Sequence, residues 1–213
     1  MIDYERCPKR IQKRSFDVVR SQVNLAHLNE LEQQIAVRMI YACGDPSIMD
    51  DLRFSQGAAE AGIKSLVQKK HIICDVNLVI SALNKRLLSH PPLCFIDKKE
   101  VVSQAKFKMH TRSMVAVDYW HEVIAGGIVL IGNAPTALFR LMELLEQGEI
   151  NKPALIIAVP VGYTGAQESK QYLWDHHQVL GVPCITLLGT RGSSALAATA
   201  MNALLSYYHG VIF

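Results

Sequence analysis

Five short apolar runs stand out along the chain: His71–Val76, Pro92–Asp97, Gly127–Gly132, Ala154–Val161 and Val182–Gly189. Each is continuous rather than alternating, and β-branched residues are common in them. Strands covered on both faces have this pattern. Around them, apolar positions recur at helical spacing. The longest such stretch, Ser15–Ile40, puts Phe16, Val19, Val23, Leu31, Ile35 and Met39 at helical intervals and predicts one long amphipathic helix. Further helices are predicted over Ala58–Lys69, Asn77–Leu88, Lys98–Ala105, Ser113–Ile124, Thr136–Gln147, Ala166–His177 and Ser193–Tyr208. Strands alternating with helices imply parallel strands joined by right-handed crossovers. The expected architecture is therefore α/β: a doubly wound, mainly parallel sheet of about five strands, with an N-terminal helical section, in a single domain over residues 1–213. Gly148–Pro153 reads as a helix-to-strand turn, and no internal repeat or low-complexity tract interrupts the order.

Composition narrows the class. Half of the 213 residues are hydrophobic and 19% are charged, enough to build a core without disulfide staples. Lys+Arg 22 against Asp+Glu 19 leaves a net charge of +3 with no long basic run, which argues against a nucleic-acid binder. The five cysteines (Cys7, Cys43, Cys74, Cys94 and Cys184) form no CxxC pair and lack metal-ligand spacing. They suit a reducing cytoplasm. The first twenty residues are strongly charged and contain no apolar signal core. No apolar run approaches the roughly 20 residues that span a bilayer, so no membrane partner is expected.

In open α/β sheets, ligands bind at the carboxyl ends of strands. Four predicted strand ends carry suggestive residues: Asp75-Val76-Asn77, Gly132–Thr136, Pro160–Gly165 followed by Glu168-Ser169-Lys170, and Gly189–Ser194. Gly189–Ser194 (GTRGSS) combines glycines, a guanidinium fork on Arg191 and a helix start. It suits an anion as well as it suits a plain turn with a serine cap. Gly132–Thr136 (GNAPT) sets Pro135 at a helix start and leaves Asn133 and Thr136 either to touch a ligand or only to cap. Gly162–Gly165 (GYTG) is not a dinucleotide fingerprint. Thr111-Arg112-Ser113 opens a predicted helix with Ser113 as the cap. An arginine at that positive end calls for a nearby anion, which points to a carboxylate-rich ligand or to a solvated surface. Asp50-Asp51 reads as a solvated helix start. His176 and His177 are adjacent and diverge on a helix, and no HExxH or GxSxG motif is present.

Taken together, these segments resemble the precorrin-8X methylmutase family of cobalamin biosynthesis, over about residues 8–205. The likeness rests on pieces in the family's order. They are Ser15-Phe16, Arg38-Met39-Ile40-Tyr41-Ala42-Cys43-Gly44-Asp45, Cys74-Asp75-Val76-Asn77, Thr111-Arg112-Ser113, the run Gly132–Arg140, Val159–Tyr163 with Glu168-Ser169-Lys170, and Gly192–Ala195. The resemblance implies a flavodoxin-like fold, a homodimer, no cofactor and no metal. It also implies an isomerase that moves a methyl group between adjacent carbons of ring C in a corrinoid tetrapyrrole. It marks Ser15, Arg38, Thr111, Arg112, Ser113, Asn133, Thr136, Gly162 and Arg191 as substrate contacts. In the family's Arg-x-Ile-x-x-x-Gly segment the catalytic acid is commonly histidine, and here that position is Tyr41. Three readings follow: Tyr41 is the acid, a different residue has taken over that role, or the chain is a carrier that binds tetrapyrroles without turnover; Tyr41 as the acid in an active enzyme is the expectation. An acyl- or phosphoryl-transfer enzyme would rest on the glycine-rich turns alone.

Overall fold

The structure, a computed structural model, describes residues 2 and 4–211; the extreme ends of the expected 1–213 domain lie outside the described residues. Helix α1 (Pro8–Gln22) opens with Pro8, whose missing N–H costs nothing at a helix start. The expected long helix breaks after it. Val23 is extended, the Asn24 side chain turns back onto the Ala26 N–H, and α2 (Glu30–Cys43) begins afresh. Asn29 and Glu32 form a reciprocal capping box there: the Glu32 N–H donates to Asn29 Oδ1 and the Asn29 N–H to Glu32 Oε2, both at 3.0 Å. A 3₁₀ turn (Pro46–Asp50) leads to strand β1 (Leu52–Phe54), followed by α3 (Ala58–Val67), β2 (Ile72–Cys74) and α4 (Asn77–Ala82). Helices α5 (Lys99–Lys108) and α6 (Arg112–Val117) precede β3 (Ile128–Ile131). Then come α7 (Pro135–Glu146), β4 (Leu155–Ala158), α8 (Ala166–Leu180), β5 (Cys184–Leu187) and α9 (Ser194–Tyr208).

The sheet has five strands in the order β1-β5-β4-β3-β2, parallel except for β1, which pairs antiparallel with β5. The count matches the expectation, but the membership differs. The predicted strand Pro92–Asp97 touches the sheet at one point, where Leu93 exchanges 2.8 Å bonds with Ile72 O and Cys74 N–H. Pro91 and Pro92 offer no N–H to extend the ladder, and the chain turns away as the Lys98 N–H donates to Phe95 O. Its place in the count is taken by β1, a three-residue edge strand closed by Ser55, whose Oγ accepts from the buried Cys184 N–H at 2.7 Å.

Residues alternate across the sheet with period two. Ile72, Ile128, Leu130, Leu155, Ile157, Ile185 and Leu187 face the core beneath α1, α2, α3, α4 and α9. Ile73, Val129, Ile131, Ile156 and Cys184 face the core beneath α7 and α8, where Trp120 and Ile124 also lie. Every residue of β2–β5 is buried, which is why these strands read as unbroken apolar runs. The parallel strands add one after another in the same direction, so right-handed crossovers place α7 and α8 on one face. Helix α9 returns on the other and packs on α2 and α4. Helices α4 and α6 are shorter than predicted. Asn202 of α9 donates to the Ala82 carbonyl at 3.0 Å and accepts from the Asn84 N–H at 2.8 Å, ending α4. Among the described residues, no helix is long and apolar enough to cross a membrane.

Candidate active site

The parallel strands end along one edge, and the loops leaving them pack backbone on backbone. A Cβ at residue 132 would sit 2.6 Å from the Ser194 Cα, and one at residue 192 would collide with the Val159 carbonyl oxygen. The glycines at these turns therefore let the loops approach each other rather than a ligand. Gly162 holds φ +145°, a backbone conformation that side chains rarely adopt, and its N–H donates to Thr190 O at 3.1 Å. At the β3 end, the N–H groups of Gly132, Asn133 and Ala134 all donate to the buried Asp75 carboxylate, at 3.2, 2.9 and 2.8 Å. Burial pushes the Asp75 pKa above the usual carboxylate range, and these donors with the Val76 N–H pull against it.

Arg191 is the hub of the β5 end. Its Nη1 donates to Asp45 Oδ2 at 2.6 Å and to Ser47 Oγ at 2.7 Å, while Nη2 donates to Asp51 Oδ2 at 2.7 Å and to Ser47 O at 3.1 Å. The fork expected to hold a substrate carboxylate is closed on two of the chain's own. The supposed solvated start at Asp50-Asp51 is half of that clamp. From below, the buried Lys170 donates to Arg191 O at 2.6 Å. Burial lowers the Lys170 pKa to about 8, with the Asp51 charge opposing.

Gly44, at φ +70°, ends α2 and sends the chain into the clamped turn, with its N–H on Ile40 O at 2.8 Å. Two hollows of about 400 Å³ each flank this segment. One lies between α1 and the end of α2, lined by Ser15, Val18, Val19, Tyr41, Gly44 and Pro46, with Glu5 and Arg14 at its wall. The other lies at the β4 and β5 ends, lined by Cys43, Asp45, Val161, Tyr163, residues 190–193 and Leu196.

Ser15 and Tyr41, far apart in sequence, thus share one hollow. Tyr41 is 50% exposed, its ring meets Phe16 edge-on at 5.5 Å, and its hydroxyl has no hydrogen bond among the described residues. Arg38, one turn earlier, lines neither hollow; its guanidinium lies 5.8 Å from the Phe16 ring centre, and burial lowers its pKa. The remaining expected contacts lie elsewhere on the edge. Thr111, not Ser113, caps α6, accepting from the Met114 N–H at 3.2 Å, and its hydroxyl meets that of Thr136 at 2.7 Å. Ser113 is buried and lines neither hollow. The anion that Arg112 called for is Asp97, at 3.1 Å. Asn133 spends its N–H on Asp75 and keeps an exposed side chain. Gly162 lines neither hollow, although its neighbours do.

Two residues central to this geometry stood in the sequence motifs without a role assigned to them. Lys170 sits between Ala166 and Leu173 on the buried stripe of α8, so helical spacing alone places it inward. Asp75 ends an apolar run, and its acceptor role is invisible until the β3 turn comes alongside.

The profile of the precorrin-8X methylmutase family matches residues 10–207. The chain belongs to that family. The precorrin-8X methylmutase of Pseudomonas aeruginosa is 43% identical over 206 residues, covering 96% of this chain and 98% of its own length. The cobalt-precorrin-8 methylmutase of Methanocaldococcus jannaschii is 33% identical, covering 92% of each. A crystal structure of the precorrin-8X methylmutase from Thermus thermophilus superposes with a TM-score of 0.85 at 33% identity, covering 96% of this chain and 98% of that one. Family membership thus agrees with the order of motifs along the chain, and most of the family-like segments fall on one edge of the sheet.

Proposed function

We propose that this chain is a methylmutase of cobalamin biosynthesis, an isomerase that moves a methyl group between adjacent ring C carbons of precorrin-8X or cobalt-precorrin-8. The observation that carries the reading is the shared hollow of Ser15 and Tyr41, with Arg38 one helical turn away. An isomerisation leaves the atom count unchanged, so any proton lent to the macrocycle must return to its donor. A ring nitrogen that accepts a proton draws electron density from the ring and eases migration. Tyr41 lines the hollow and its hydroxyl has no hydrogen-bond partner among the described residues, so it is available to lend that proton. A phenol, with a reference pKa near 10 against about 6.5 for imidazole, is in general the weaker acid.

The substrate is a broad, flat ring fringed with carboxylates, larger than either hollow. Its size and the apolar exposure around the site, with Tyr163 at 94%, Tyr41 at 50% and Val161 at 45%, support a homodimer in which a second copy completes the cleft. Five free thiols suit work in a reducing cytoplasm. The test is the rate of ring rearrangement, followed by absorbance, for three proteins side by side. Tyr41→Phe lowers turnover by about 10²–10⁴ with folding and product binding kept, and Tyr41→His retains or raises it. A silent Tyr41→Phe removes the hydroxyl from the chemistry. Stoichiometric binding without turnover in the unmutated protein identifies a carrier instead.

A further inference from the structure

Three elements meet at Arg191, and none of them is the substrate hollow that holds Ser15 and Tyr41. Its carbonyl receives the Lys170 ammonium from α8 at 2.6 Å. The next residue, Gly192, rests so closely on Val159 and Pro160 that no side chain fits there. Its guanidinium makes four bonds, to Asp45, Ser47 and Asp51, all on the turn that leaves α2. That turn starts three residues after Tyr41 and supplies Gly44 and Pro46 to the wall of the Tyr41 hollow. The turn's other ties lie at its two ends and in its own short-range bonds: Asp45 accepts from the Ser47 N–H at 2.9 Å, the Asp51 N–H donates to Ile48 O, Arg53 reaches Asp50 O at 2.7 Å, the Leu188 N–H donates to Asp51 O at 2.9 Å, and Ile48 is buried in the core.

We propose that Arg191 is a positioning residue for the methylmutase reaction, a clamp that fixes the end of α2, and with it Tyr41, against the β5 edge. It does so without touching the substrate. Both terminal nitrogens have spent their N–H groups on the protein, so a substrate carboxylate gripped by the two of them would have to displace Asp45 or Asp51. Lys170 completes the device by fixing the carbonyl of the clamping residue from inside the fold. Hydrogen bonds from the Ser47 hydroxyl and N–H, with the Arg191 charge adding to them, lower the Asp45 pKa below the usual carboxylate range, and the Asp51 and Asp45 carboxylates raise that of Arg191. The inference rests on the reading of Tyr41 as a residue of the cleft, and it assigns a cause to that residue's placement.

The experiment compares Arg191→Ala, Arg191→Lys and Lys170→Met with the unmutated protein. Three readouts are taken: backbone hydrogen exchange across residues 41–51, kcat and KM, and the Kd for the corrinoid product. Arg191→Ala is expected to speed exchange in residues 44–51 by about tenfold or more while the rest of the sheet stays protected. It should also lower kcat by about tenfold or more and leave Kd within about threefold. Arg191→Lys, which keeps the charge but loses the fork, falls between, and Lys170→Met shows the same pattern more weakly. A Kd raised about tenfold with unchanged exchange over 44–51 makes Arg191 a substrate contact and overturns the proposal. So does an Arg191→Ala protein with unchanged exchange and unchanged kcat. Should the alanine variant fail to fold, Arg191→Lys gives the same comparison, since one ion pair can persist. A silent Tyr41→Phe sinks the acid role alone, while the exchange readout tests the clamp by itself.

Discussion

Lys170 has no exposed surface, and its ammonium finds the Arg191 carbonyl at 2.6 Å. Burial takes its pKa from 10.5 to about 8, so below pH 8 the folded protein bears the cost of a buried charge. Between pH 8 and 10.5 the unfolded chain binds more protons at this site than the folded one. Stability from this residue therefore rises with pH through that window and is level outside it. Buried Cys74 and Cys184 titrate nearby and act with the opposite sign, because burial raises their pKa values. The difference between unmutated protein and Lys170→Met isolates the lysine. Urea unfolding across pH 7–11 should show that difference growing in favour of the unmutated protein by up to about 3 kcal/mol. A difference that is flat across the window would mean the buried lysine keeps its ordinary pKa.

Helix α2 carries both Arg38 and Tyr41, and its start is set by Asn29. The Asn29 carbonyl oxygen caps the first turn, and its amide donates to Glu60 of α3 at 2.9 Å. Asn29→Ala should cost about 1–2 kcal/mol of stability by urea titration, with kcat unchanged, since the cap lies at the far end of the helix from Tyr41. This N-x-x-E signal was present in the sequence inside a region that periodicity alone joined into one helix. The apolar positions of α1 and α2 keep helical spacing through the break because both helices pack on the same core. At the other extreme, β1 gave no periodic signal at all. Three residues around an arginine become a strand only because β5 presents an open edge beside them. Pro92–Asp97 looked like a strand and was denied the ladder by the prolines before Leu93.

At the scale of the whole molecule, exposed Tyr41, Val161 and Tyr163 lie on the two hollows beside the end of α2. Burying that surface against a second copy would enclose a macrocycle wider than either hollow. Sedimentation at micromolar concentration should show a dimer, and substitution of Tyr163 by aspartate should shift it toward monomer with loss of turnover. Activity persisting in a purely monomeric protein would remove the second copy from the site. The sequence alone determined the α/β class, the four parallel strands, most of the helices, and the family, because buried strands and helix faces write their burial into local spacing. It also placed Tyr41 and Ser15 in the motifs that matter. Only the tertiary structure decided which candidates face an open hollow. The sequence marks Arg191, Arg112 and the Gly132–Ala134 turn as ready for an anion. Their partners Asp45, Asp51, Asp97 and Asp75 lie from 15 to 146 residues away. Whether a charge is free for a ligand depends on which carboxylate the fold brings beside it, and local spacing carries no record of that.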